Sequence, residues 1–381
     1  MRFEDVLGRS QRSELSQMEA AELLGISERT FRRWRDRHRE AGPSGLDDRR
    51  LTPSLRRAPV AEIERMLGLY RDLYRGFTVK HFHEQLAKRH NYVLGYTVTK
   101  LHLQREGLVV RAKKRSAHRK KRPRRPMVGM MLHQDASTHA WLPGDTRKYD
   151  LVVTMEDATS ALYSAFLVDE EGTASSFQGL REVVATHGLF CSLYTDRGSH
   201  YFFTPEAGGK VSKTTLTQVG RALSQLGIEH IAAYSPQARG RSERVFHTLQ
   251  DRLPKEFKLA GICTVAAANK WLRDSFIADY NAQFAVVAEQ EGESAFVADA
   301  AGAWREILCI QEDRTVGNDN TVNWEGLSLQ LPPSRLRRHF AKTAVKVHAY
   351  PDGTLAVLWG PHRLADYDAK GIVVVTKQQA A

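Results

Sequence analysis

Asp135, Asp196 and Glu243 are the residues whose types and settings could do chemistry. Asp135 closes the apolar run Met130-Met131-Leu132-His133-Gln134, and Asp196 closes Cys191-Ser192-Leu193-Tyr194-Thr195. Glu243 lies in Arg239-Gly240-Arg241-Ser242-Glu243-Arg244, where a helical pattern opens. Two strand ends and a helix start can converge, and three carboxylates are hard oxygen donors. Mg²⁺ needs only one or two protein carboxylates, filling its octahedron with waters and phosphate oxygens. Two such cations about 3.5–4 Å apart stabilise both the attacking and the leaving oxygen of a phosphodiester displacement. The trio therefore reads as a metal-dependent site that cuts and joins nucleic-acid phosphodiesters. Any one of these acids alone, among 44 in the chain, would be read as a solvated charge; the flanking words change that.

Tyr194-Thr195-Asp196-Arg197-Gly198-Ser199-His200 resembles the second-Asp word of the DDE transposases and retroviral-type integrases. Tyr234-Ser235-Pro236-Gln237-Ala238-Arg239-Gly240-Arg241-Ser242-Glu243-Arg244 resembles their Glu word and is the more specific match. The resemblance covers residues 128–255, and the layout around it is similar to that of a bacterial insertion-sequence transposase. It implies a ribonuclease-H-like core on which Asp135, Asp196 and Glu243 are catalytic and hold two Mg²⁺ or Mn²⁺ ions. It also implies direct transesterification of DNA ends into a target. Two departures stand out. The gap between Asp196 and Glu243 is 46 residues, longer than in retroviral integrases, with the excess expected in Thr204–Lys213. The retroviral His/His/Cys/Cys zinc head is unmatched, since His81, His83 and His90 have no cysteine before Cys191; no zinc is expected.

The elements that must position the trio are legible as a mixed α/β core over residues 127–290. Strands are expected at 127–135, Asp150–Asp157, Ala161–Val168, Cys191–Thr195 and Ile228–Ala232. Helices are expected at Thr173–His187, Lys213–Leu226 and Ser242–Phe257, the last carrying Glu243. His247 at i+4 and Gln250 at i+7 share the Glu243 face, so both are read as positioning the donor DNA end. Arg239, Arg241 and Arg244 are candidate phosphate clamps, weighed against ordinary rim pairs with nearby acids. The stripe Ala266, Trp271, Phe276, Ile277 and Tyr280 is read as core packing. Gly198-Ser199-His200 is no nucleophile elbow, and without a phosphate-binding Gly-x-x-x-x-Gly-Lys loop no ATP is expected.

Ahead of the core, residues 1–42 have helix-turn-helix grammar. Ser16-Gln17-Met18-Glu19 forms a capping box before Ala20, Ala21, Leu23 and Leu24, and Gly25 breaks the helix. Ser27 caps a second helix whose Arg29, Arg32 and Arg33 project as DNA readers. After a linker at 43–59, residues 60–110 suggest a second helix-turn-helix or winged-helix-like unit, with Thr97, Thr99 and Lys100 on its exposed face. Residues 111–126 form a basic linker with ten Lys/Arg, among them Lys113, Lys114, Arg115, Lys120, Lys121 and Arg122. A like-charged run repels itself and tracks phosphates. Residues 1–125 hold 31 Lys/Arg against 15 Asp/Glu, a surplus of +16, so the remainder of the +12 chain carries −4. That polarity points to polyanions.

Behind the core, alternating Leu327, Leu329 and Leu331, and a hairpin turn at Tyr350-Pro351-Asp352-Gly353, suggest an SH3-like barrel over 310–381. Its edge carries Arg335, Arg337, Arg338 and Lys342. No apolar run reaches the length of a membrane span, and the start lacks a signal-peptide segment, so a cytoplasmic, nucleoid-associated bacterial protein with no membrane partner is expected. Cys191, Cys263 and Cys309 are scattered as for reduced thiols. The fold class is thus multidomain: all-α helix-turn-helix N-terminal domains, an α/β ribonuclease-H-like catalytic core and a small all-β SH3-like C-terminal barrel. The function expected is a DNA transposase that binds terminal inverted repeats, cleaves 3′ ends and joins them to target double-stranded DNA. A homo-oligomer, dimer or higher, would hold two ends in a synaptic complex. Two alternatives remain at this point, an inactive integrase-like DNA-binding regulator and a ribonuclease-H-type nuclease without strand transfer. Paired-carboxylate glycosidase chemistry ranks last, having no use for a basic head.

Overall fold

Residues 3–47, 57–111, 123–206, 209–212, 214–234, 240–299 and 302–374 are described by the computed structural model. Lys113, Lys114, Arg115, Lys120, Lys121, Arg122 and Arg239 lie outside the described residues. The chain divides into two compact units, residues 1–75 with 82–111, and residues 76–81 with 112–381.

The first unit is helical: α1 (Phe3–Gln11), α2 (Gln17–Leu23), α3 (Glu28–Ala41), a 3₁₀ turn at Gly42–Leu46, α4 (Val60–Asp72), most of α5 (Val79–His90) and α6 (Tyr96–Arg105). α2 starts where its capping box dictates. Ser16 Oγ accepts the Glu19 amide at 3.3 Å, and Glu19 Oε2 accepts the Ser16 amide at 2.8 Å. Ser27 Oγ accepts the Thr30 amide at 3.2 Å and so begins α3. α1 was not expected from the sequence. Its Val6 and Leu7 bury against Ala20, Ala21 and Phe31, supplying the third side of a small core that α2 and α3 could not close alone. The rings of Tyr70 in α4 and of Tyr74 just past it lie 5.0 and 5.3 Å from that of Phe82 in α5, with Leu103 of α6 fully buried.

The second unit holds a mixed α/β core. Its strands are β1 (Leu132–His139), β2 (Tyr149–Glu156), β3 (Leu162–Val168), β4 (Ser192–Thr195) and β5 (Glu229–Ala232), in the order β3-β2-β1-β4-β5. β1–β2 and β2–β3 are antiparallel, whereas β1–β4 and β4–β5 are parallel. The first strand departs from expectation. It does not end at Asp135, because its ladder with β2 continues through Ala136 and the polar Ser137 and Thr138 to His139, and Asp135 pairs with Val153 in mid-strand.

Helices cover both faces of this sheet. On one, α7 (Thr173–His187) and α8 (Gln218–Gln225) pack Leu180, Val183, Val219 and Leu223 against Leu132 and Leu193. A Cβ at Gly179 would stand 2.6 Å from Gln134 Nε2 and would push that amide off its bonds to Thr154 Oγ1 and the Ser176 carbonyl. The expected helix from Lys213 begins only at Gln218, where Thr217 Oγ1 caps the Gly220 amide at 3.1 Å. On the other face, α9 (Ser242–Ala260), α10 (Val265–Trp271), a π-helical turn at Leu272–Phe276 and α11 (Ile277–Phe284) cover β2 and β3. Val245, Phe246, Leu249, Leu253 and Phe257 of α9 share one cluster with Leu151, Val153, Ala165 and Leu167. Burying each such side chain contributes about 1.5–3 kcal/mol.

Past α12 (Trp304–Ile307) come β6 (Ile310–Thr315), β7 (Thr321–Trp324), β8 (Leu327–Gln330), β9 (Ala344–Ala349), β10 (Leu355–Trp359), β11 (His362–Tyr367) and β12 (Val373–Val374). They form a sheet in the order β12-β11-β10-β9-β6 and a β7–β8 hairpin around Val322, Leu329, Val347, Val357 and Tyr367. The turn after β9 sits where expected, with Gly353 at φ +83° and Val357 paired to Val347.

Candidate active site

Strand register does the first part of the assembly. β1 and β4 pair as Leu132 with Leu193 and His133 with Tyr194. Asp135 follows that last pair by two residues on β1, and Asp196 follows it by two on the other chain segment, directly after the last residue of β4. Parallel neighbours lie about 4.8 Å apart and direct paired side chains to the same face. Asp135 is buried to 8% exposure and its Oδ1 accepts the Ala136 amide at 3.0 Å. Asp196 is half-buried and its Oδ1 accepts the Gly198 amide at 2.8 Å.

Glu243 arrives from above. Its side chain is exposed in the first turn of α9. Gln250, two turns on and on the same helix face, donates from Nε2 to Ser137 Oγ at 2.8 Å. Ser137 stands two residues beyond Asp135, hence on the same face of β1. That face is the one α9 covers, because Val153, the partner of Asp135, lies in the α9 cluster. The Glu243 helix face therefore lies over the strand face that presents Asp135. Among the described residues no group of three His, Cys, Asp or Glu side chains is gathered closely enough to hold a metal ion. Asp135 and Asp196 each lie two residues past the last β1–β4 pair, and Glu243 lies on the covering helix. The donor set suits Mg²⁺, which needs one or two carboxylates and brings its own waters.

A buried network beside the trio was not foreseen from the sequence. Asp157, just past β2, has no exposed surface; His133 Nε2 donates to its Oδ1 at 2.7 Å, and Arg241 Nη1 donates to the same oxygen. The Arg125 amide donates to Oδ2 at 2.7 Å. Burial works to raise this carboxyl's pKa, but the His133, Arg125 and Arg241 hydrogen bonds outweigh it and hold Asp157 below the usual carboxylate range. Its neighbour Glu156 goes the other way: burial raises it above the ordinary value, although the Gly129 and Ala158 amides donate to it. Tyr201 is fully enclosed and donates to Gln134 Oε1 at 3.0 Å. Burial, then the charge of Glu171, raise its pKa well above normal, with Asp135 and Asp196 adding to the effect.

The remaining described sequence candidates fall into two groups, exposed and buried. Arg29, Arg32, Arg33, Thr97, Lys100, Arg244 and His247 are exposed, although Arg244 Nε also donates to the Gly240 carbonyl at 2.7 Å. Arg29, Arg32 and Arg33 line one concave surface of α3 with Arg37. Thr99 corrects the reading of an exposed α6 face: it is fully buried and donates to the Tyr92 hydroxyl at 3.2 Å, because the helix turns that position into its own core. Arg241 likewise is no free clamp, being buried to 8% exposure with its charge on Asp157. Its chain neighbour Ser242 is buried too. A cavity of about 520 Å³ beside β5, lined by Phe202, Phe203, Leu216, His230 and Tyr234, contains none of the three acids.

Residues 5–57 match a helix-turn-helix domain model. Over 362 residues the chain is 30% identical to the putative transposase y4bF of Sinorhizobium fredii, a match covering 94% of this chain and 79% of that protein. The chain belongs to the transposase family. A second transposase, that for insertion sequence IS1202 of Streptococcus pneumoniae, is 34% identical over 163 residues, 43% of this chain and 34% of that one. Among solved structures, the catalytic core domain of HTLV-2 integrase in complex with magnesium matches with a TM-score of 0.29 and 17% identity, covering 38% of this transposase and 85% of that chain. A simian T-cell lymphotropic virus intasome in complex with the PP2A regulatory subunit B56 gamma matches with a TM-score of 0.35 and 14% identity over 74% of this chain and 95% of that one. No helix among the described residues is long and apolar enough to cross a membrane.

Proposed function

We propose that this transposase binds the terminal inverted repeats of a mobile element, frees their 3′ ends and joins them to target DNA. The observation that supports this reading is that Asp135 and Asp196 each follow the last β1–β4 pair by two residues, with the Glu243 helix covering the Asp135 face of β1. In this reading Asp135, Asp196 and Glu243 hold Mg²⁺ or Mn²⁺, two ions per site. Bound there, the cations would stabilise the attacking and leaving oxygens of the displacement. The carboxylates form no covalent bond to DNA; they fix positions and charge, and the low exposure of Asp135 limits competing water.

The α3 arginines 29, 32 and 33, with Thr97 and Lys100 of α6, grip the element ends, and the basic stretch 111–126 follows their phosphates. The core is read as ribonuclease-H-like, and the C-terminal strands as a small SH3-like barrel with a DNA-facing or subunit-facing edge. Two ends must be held at once, so the working form is a homo-oligomer, with twofold symmetry suited to inverted repeats.

The test uses the full chain, labelled DNA flanking its gene, a target plasmid and Mn²⁺. Wild type should give covalently joined products on denaturing gels, and Asp196→Asn and Glu243→Gln should give none. Cutting without joining would favour a nuclease, and binding with neither would favour a DNA-binding regulator.

A further inference from the structure

Asp157 touches both halves of the site. His133, which donates to its carboxylate at 2.7 Å, lies two residues before Asp135 on the same face of β1. Arg241, which donates to the same oxygen, lies two residues before Glu243 at the N-cap of α9 and makes no side-chain cap bond of its own. Arg241 Nη1 also donates to the Asp157 carbonyl at 3.2 Å, and the Asp157 amide donates to the Met131 carbonyl at 3.0 Å. One buried residue thus fastens the strand bearing the first acid to the start of the helix bearing the third. Buried ion pairs are weak sources of stability, because desolvation offsets the attraction, and in some proteins a retained pair serves to fix geometry instead. Adjacent Glu156 is equally buried but binds the amides of Gly129 and Ala158, touching neither His133 nor Arg241.

We propose that Asp157 is a positioning residue: through His133 and Arg241 it sets where Glu243 stands relative to Asp135 and Asp196, and so the metal requirement of the reaction. The proposal rests on the metal-binding reading of that trio. Outer residues that orient metal ligands typically change metal affinity by about 10–100-fold when altered.

The experiment is a Mn²⁺ titration of strand joining by the full chain, with thermal melting of every variant alongside. Asp157→Asn and Arg241→Met should raise the half-maximal Mn²⁺ concentration by about tenfold or more. Arg241→Lys, which keeps the charge at Asp157, should restore most of that loss. Glu156→Gln should melt lower without moving the metal requirement. If Asp157→Asn does not fold, the Arg241→Met and Arg241→Lys pair decides. Wild-type metal dependence in Asp157→Asn and Arg241→Met, whatever their melting temperatures, overturns the positioning role alone. A wild type that joins no DNA at any Mn²⁺ concentration overturns the reading of the trio, and the positioning role falls with it.

Discussion

Gln250 of α9 donates to Ser137 of β1 at 2.8 Å across 113 residues of sequence. Because Gln250 shares a helix face with Glu243 and Ser137 shares a strand face with Asp135, this bond adds to the apolar stripe of α9 and the Arg241–Asp157 link in holding the Glu243 face over the sheet. Gln250→Ala removes one neutral hydrogen bond and should cost about 1 kcal/mol. Joining activity should fall by more than that loss of stability explains, since a bond on the Glu243 face is then lost while the apolar stripe still holds the helix. Paired melting and joining assays check it. A small melting shift with unchanged joining would make Gln250 a structural tie and nothing more.

The capping box of α2 gives a local prediction. Ser16→Ala removes the acceptor of the Glu19 amide and should cost about 1 kcal/mol. Amide exchange over residues 17–24, measured by mass spectrometry on the full chain, should quicken about fivefold, while exchange in the sheet stays unchanged. No change in α2 would mean that burial of Ala20 and Ala21 against Phe31 holds the helix by itself.

Much of this architecture is legible because it is local. Alternating and continuous apolar runs mark the core strands, and Ser16 and Ser27 mark two helix starts. The position of Asp135 within its strand was less legible: the apolar run stops there, and only pairing with β2 carries the backbone on through Ala136-Ser137-Thr138-His139. α1 was readable in principle, since Phe3, Val6 and Leu7 recur at helical spacing. The Asp157 network was not, because its bonds to His133 and Arg241 span 24 and 84 residues and no local pattern announces them. Thr99 failed for a related reason. A small polar residue on a basic helix reads as surface until the partner that satisfies it, Tyr92, is placed beside it.

His230 gives the pH dependence. Burial, and then the charge of His200, lower its pKa from 6.5 to about 4; its ring stacks on Phe202 at 3.9 Å and Nε2 meets Thr195 Oγ1 at 3.0 Å. Between pH 6.5 and about 4 the unfolded chain takes up a proton that the folded chain refuses. Stability therefore rises with pH across that window and is lost on acidification. Melting temperatures measured from pH 7 down to 4.5 should fall, and His230→Gln should flatten part of the fall. An identical slope in the variant would assign acid sensitivity to other groups.

Salt dependence separates surface readers from core residues in the helical unit. Each cation that neutralises a phosphate contributes about 0.9 to the slope of log K against log salt on duplex DNA. Arg29→Ala, Arg32→Ala and Arg33→Ala should each reduce that slope by about 1 where the guanidinium sits on a phosphate. An arginine that reads a base should instead lose discrimination at one position with little change in slope. Thr99→Val should do neither: it breaks the buried bond to Tyr92 and lowers stability by about 1 kcal/mol, leaving the salt slope untouched. Fluorescence anisotropy with element-end DNA at several salt concentrations distinguishes these cases. A changed slope in Thr99→Val, with its fold intact, would return Thr99 to the DNA-facing surface from which its burial removes it.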